Sequence, residues 1–85
     1  MPGRRKQFAA IAANPRNVRF RVLKRVVLAF GFELKRITGS HHIFERPGVA
    51  EPLNIQEIRG QAKPYQVRQF LALVEKYALE LRRES

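Results

Sequence analysis

Residues 32–46 read FELKRITGSHHIFER, and their pattern sets the fold. In 32–37 the first four side chains alternate apolar and polar, as in a strand with one buried face. Thr38-Gly39-Ser40 supplies turn chemistry, and 41–46 (HHIFER) reads as the returning strand, closed by Pro47-Gly48. The stretch predicts an antiparallel hairpin. A third strand follows at 53–56 (LNIQ), where Leu53 and Ile55 alternate with Asn54 and Gln56. Pro52 beside it suits an edge or a strand start, because proline has no ladder N–H to give.

On the N-terminal side, Leu23, Val26, Val27 and Phe30 keep the i, i+3, i+4, i+7 spacing of one helix face. This predicts a helix from Arg21, ended by Gly31 in a left-handed conformation. Arg21 stands where a capping Ser or Asp belongs, which predicts a frayed start. On the C-terminal side, Val67, Phe70, Leu71, Val74, Tyr77, Ala78 and Leu81 share one broad face, predicting a helix from Pro64 onward. Residues 7–13 (QFAAIAA) predict a short first helix, stopped by Asn14-Pro15. The expected architecture is α+β: a small three-stranded antiparallel sheet with two helices on one face, in the order α-β-β-β-α, plus the short N-terminal helix. A helical bundle would leave the alternating segments unexplained. The expected organisation is a basic N-terminal segment at 1–16, one domain at 17–82 and a tail at 83–85.

Charge narrows the partners. Seventeen Lys and Arg against seven acidic residues give a net charge of +10 over 85 residues, and the sequence pI is near 11.4. That is the electrostatic footprint of a nucleic-acid binder, although an acidic protein partner would also meet it. There is no cysteine, hence no disulfide and no thiolate metal site. No apolar run approaches the roughly 18 residues of a membrane span. The short apolar stretch after Arg4-Arg5 is too brief for a secretory signal. A cytoplasmic protein with no membrane partner is expected.

The chemistry is bounded by what is missing. There is no Asp, and the seven Glu are scattered, whereas two-metal nucleases need clustered carboxylates. His41 and His42 are too few for a closed zinc site, and neighbours on a strand face opposite ways. No metal and no cofactor are expected. Histidine remains as the group that moves protons near neutral pH. RNA carries its own nucleophile, the 2′-hydroxyl, so its cleavage needs only proton transfer and a cationic cradle. His41 follows a Gly-Ser turn, with Lys35 and Arg36 before it and Arg46 after. The residues alone leave both catalysis and simple packing open for it. A second constellation is 59–65 (RGQAKPY): Pro64 suits the first helical position, no capping side chain precedes it, and Lys63 opposes the helix dipole. Either a phosphate sits there, drawing on Lys63 and Arg59, or water satisfies the free N–H groups. Tyr65 either packs on the sheet or stacks on a base.

Gly31-Phe32, then Gly39-Ser40-His41-His42-Ile43-Phe44, then a basic residue and Pro47, resembles the HicA family of toxin ribonucleases. The resemblance runs from about Asn17 to Leu81, and Gly60 to Gln66 looks like longer HicA variants. It implies a fold like double-stranded-RNA-binding domains, and metal-independent cleavage of mRNA as the toxin of a toxin–antitoxin pair. It also implies catalysis by His41, the histidine after Gly-Ser, with His42 not inheriting that role, and a HicB antitoxin that covers His41. On this reading Lys35, Arg36, Ser40, Arg46, Arg59 and Lys63 hold the RNA. The second proton-transfer group is open among His42, Lys35 and Tyr65. The N-terminal segment and the final helix are longer than in the smallest relatives. Two other classes fit the same charge: a non-catalytic double-stranded-RNA-binding module, and a ribosome-associated scaffold protein.

Overall fold

A computed structural model describes residues 3–82; the expected tail at 83–85 and the first two residues of the N-terminal segment lie outside them. The elements are α1 (Arg4–Ala13), α2 (Phe20–Ala29), β1 (Glu33–Thr38), β2 (His41–Arg46), β3 (Val49–Ile58), β4 (Gln61–Ala62) and α3 (Pro64–Lys76). The strands form one antiparallel sheet in the order β1-β2-β3-β4. The α+β layout is as the sequence predicts, with one strand more. That strand is a two-residue return after Arg59 (φ 52°) and Gly60 (φ 79°), whose paired positive φ values are those of a tight I′-type hairpin. Two residues carry no periodicity, and an arginine is not a signal for positive φ.

β3 also begins earlier than expected. Phe44 pairs with Leu53 and Arg46 with Val49, so the register shifts between them. Pro52 lies in that irregular stretch, where no ladder N–H is required of it. One face of the sheet is covered. Phe44, Leu53 and Ile55 point into a core shared with Leu23, Val26 and Val27 of α2 and with Val67, Phe70 and Leu73 of α3. α1 joins the same core: Ile11 is 2% exposed, and the Phe8 ring lies 4.8 Å from Phe30 and 6.3 Å from Phe70. The other face carries no helix. By register it presents Arg36 and Thr38 from β1, His41 and Ile43 from β2, and Asn54 and Gln56 from β3.

Both main helices depart from expectation at one end. α2 starts at Phe20 with Arg19 as its N-cap and no side-chain cap. Its start is nevertheless tied, because Phe20 N–H donates to Gly60 O at 2.9 Å. The predicted fraying is therefore corrected: a backbone carbonyl does what a capping side chain does elsewhere. α3 stops at Lys76 rather than running to Leu81. Ala78 turns left-handed (φ 49°), its N–H donating to Glu75 O and that of Leu79 to Val74 O. This pair of bonds is a Schellman ending with alanine in the usual place of glycine. Leu79 and Leu81 then fold back over Phe8, Phe30 and Val74, and Arg82 N–H donates to Ala29 O at 2.8 Å. The residues read as an extended helix are a strap across the ends of α1 and α2. Among the described residues, no helix is long and apolar enough to cross a membrane.

Candidate functional site

β1 and β2 are joined by Gly39 and Ser40 alone, since Thr38 pairs with His41. Gly39 is left-handed (φ 60°) and Ser40 is not, the φ pattern of a II′ turn with glycine first. So short a turn fixes the register of the hairpin. His41 opens β2 on the uncovered face, opposite Thr38 on one side and Gln56 on the other. Its ring is partly exposed, and Nδ1 lies 3.2 Å from Asn54 Oδ1.

His42 serves the opposite face, as strand alternation requires. Its ring lies 4.6 Å from that of Phe20, and its Nδ1–H donates to Ser40 O at 3.3 Å. Around the turn the bonds continue: Gln56 Nε2 donates to Ser40 Oγ at 3.1 Å, and Gln56 N–H donates to Gln66 Oε1 at 2.6 Å. Gln66 is only 2% exposed, and its Nε2 donates to the Tyr65 hydroxyl at 3.3 Å. A run of amides thus locks the turn before His41 to the first turn of α3. The only hint of Gln66 in the sequence is a polar residue in helical phase with Phe70 and Leu73. Asn54 and Gln56 are legible as outward positions of a strand, but not as neighbours of His41.

The expected phosphate-binding residues divide into two groups. Arg36 is exposed on the His41 face, opposite Ile43. Ser40 belongs to the turn itself. Arg59 sits in the β3–β4 turn, and Lys63 is the N-cap of α3, which has no side-chain cap and no acidic residue in its first turn. β3 runs antiparallel to β2, so its end and the Arg59 turn lie at the His41 end of the sheet. Arg19, which the sequence reading did not single out, joins this group by bridging to Gln61. Lys35 and Arg46 are directed elsewhere. Lys35 occupies a β-bulge, and its Nζ lies 3.0 Å from Glu33, whose carboxylate raises the lysine pKa. Arg46 is five residues along β2 from His41, roughly 17 Å at strand rise. Its Nε donates to Phe30 O at 2.7 Å and its Nη1 to Pro47 O at 2.8 Å.

At the far end of the sheet the two lysines are neutralised, while Arg46 and Arg82 share the space beside Gly31. The ion pairs among the described residues are Lys35–Glu33 and Lys76–Glu51. Lys76 and the Tyr77 hydroxyl hold the Glu51 carboxyl down to about 2. At the His41 end, Arg19, Arg36, Arg59 and Lys63 have no carboxylate within salt-bridge distance among the described residues. Lys63 Nζ instead lies 5.9 Å from the centre of the Tyr65 ring. An anion approaching the sheet therefore meets paired lysines at the far end and four cations without carboxylate partners at the His41 end. Among the described residues no three His, Cys, Asp or Glu come together in a way that would hold a metal ion.

A family model described as the HicA toxin of bacterial toxin-antitoxin systems matches residues 20–75, more than half of the chain. The match runs from the first residue of α2 into the last turn of α3, and takes in the hairpin with both histidines. No curated protein and no solved structure matches the chain.

Proposed function

The chain belongs to the HicA family, the toxins of bacterial toxin–antitoxin pairs, and on that premise we propose that it is a metal-independent endoribonuclease that cleaves mRNA in the cytoplasm. The activity resides in residues 17–82, with His41 as the proton-transfer group. One observation carries the reading: a partly exposed imidazole on the uncovered sheet face, at the end where cations have no carboxylate partners.

The chemistry asks little more of the protein. His41 takes the proton of a ribose 2′-hydroxyl, whose oxygen then attacks the adjacent phosphorus. The bond from phosphorus to the 5′-oxygen breaks, leaving a 2′,3′-cyclic phosphate on one fragment. The departing 5′-oxygen takes a proton from water and leaves as a hydroxyl, and the His41 imidazolium returns its own proton to solvent. Arg36, Arg59 and Lys63 attract the phosphates, and Ser40 shapes the turn beside them. Lys35 and Arg46 leave this set, one tied to a carboxylate and the other to backbone carbonyls. His42 and Lys35 are poor candidates for the second proton-transfer group, the first being on the other face and the second ion-paired. The partner protein is a HicB-like antitoxin that neutralises the toxin by covering His41.

The test is expression of the chain and of His41→Ala, scoring growth arrest and RNA integrity together, alongside purified protein on single-stranded RNA with a chelator. Cleavage in the chelator by the parent, and none by the variant, is the expected result. Equal cleavage by both proteins would remove His41 from the mechanism. RNA binding without fragments from the parent would leave a double-stranded-RNA-binding module.

A further inference from the structure

We infer that Asn54 is a positioning residue for His41, its carboxamide oxygen holding the Nδ1–H so that Nε2 is the nitrogen that accepts the proton. The inference rests on the ribonuclease reading for its importance, but not for its geometry. An amide oxygen has no hydrogen to give, so at 3.2 Å from Asn54 Oδ1 the His41 Nδ1 must be the donor. A neutral imidazole carries one N–H. With that hydrogen on Nδ1, the lone pair is on Nε2, the nitrogen remote from β3.

The register explains why Asn54 does this and Gln56 does not. Gln56 stands directly across from His41, but its side chain is turned to the hairpin turn, where Nε2 donates to Ser40 Oγ. Asn54 pairs with Ile43, one diagonal step away on the same face, within reach of a ring. It lies between Leu53 and Ile55, both fully buried, so its backbone is held by the core on either side. The side chain is short and loses little freedom in making one bond.

The character of the acceptor matters as well. The groups facing His41 on this side are Thr38 and Gln56 directly opposite, with Asn54 and the charged Arg36 diagonally, each opposite Ile43; Glu33 and Glu45 pair with each other at the far end. An amide orients the ring without adding charge, whereas a carboxylate would favour the imidazolium. The arrangement suits a ring that must begin its cycle neutral.

The experiment uses the full chain labelled with nitrogen-15 in histidine. With only two histidines, His41→Ala assigns the signals. Above the titration range, His41 of the parent should be in the Nδ1–H form. Asn54→Ala should move the tautomer ratio toward Nε2–H by roughly three- to tenfold, the weight of one neutral hydrogen bond, and kcat should fall similarly with KM unchanged. Asn54→Asp keeps an acceptor, so it should retain the Nδ1–H form while moving the cleavage pH profile upward by about one unit. An Nε2–H ring in the parent, or a ratio untouched by Asn54→Ala, would overturn the assignment. A ratio that responds in a protein that cuts no RNA would uphold Asn54's hold on the ring and sink the ribonuclease reading instead.

Discussion

The two ends of the sheet are built from similar amino acids and put to different uses. At the far end Lys35, Lys76 and Arg46 are each occupied, by Glu33, by Glu51 and by backbone carbonyls. At the His41 end Arg19, Arg36, Arg59 and Lys63 have no such partners, and two helices begin there without side-chain caps. A net charge of +10 is therefore a poor guide to where an anion binds. What decides it is which cations the fold has left unspent: four of them stand at the imidazole's end, whereas Lys35 and Lys76 at the other are ion-paired.

The largest effect should come from the imidazole. Substituting His41 by alanine is expected to lower cleavage by about 10²- to 10⁴-fold, the usual range for a general acid or base, with RNA affinity measured by filter binding nearly unchanged. The contrast between the ends is sharpened next by charge removal. Arg59→Ala with Lys63→Ala should weaken RNA binding and flatten its salt dependence by about one unit of slope per lost phosphate contact. Lys35→Ala should leave that slope alone. Equal changes from both would abolish the distinction drawn here.

Two smaller predictions concern the far end. Glu51 is held at about 2 in the folded protein against an ordinary 4.5. A folded pKa that is depressed stabilises the fold above the unfolded value and loses that contribution as acid protonates the group. Thermal stability should thus decline between about pH 4.5 and 2, and Glu51→Gln should flatten that part of the curve. The least effect is expected from Ala78→Gly, which relieves a left-handed alanine but loosens the unfolded chain; a gain of about 0.5 kcal/mol by urea denaturation is the anticipated balance.

Much of this was legible beforehand, and the parts that were not share a cause. The alternation in 32–46 and the spacing from Leu23 to Phe30 gave the hairpin and α2, because burial on one face leaves a period in the chain. Nothing in the sequence marks the end of α3, because alanine at position 78 carries no sign of positive φ. β4 leaves no pattern in the sequence, because Gln61 and Ala62 are too few to alternate. Lys35 and Arg46 lie near His41 in sequence, and nothing in the chain alone tells them apart from its spatial neighbours. The bulge at Lys35 and the rise along β2 separate them in space. Asn54 is the converse case: thirteen residues from His41 in the chain, it comes beside the ring only once two registers are fixed.

The loop of Gly39 and Ser40 has a consequence for how this chemistry can be gained or lost. The two imidazoles stand back to back across one pleat, and the length of that loop decides which of them looks outward. One inserted residue that carried β2 on by a single step would present His42, but it would also turn the buried Phe44 out of the core and Glu45 into it. The burial of Phe44 therefore guards which of two identical side chains faces outward.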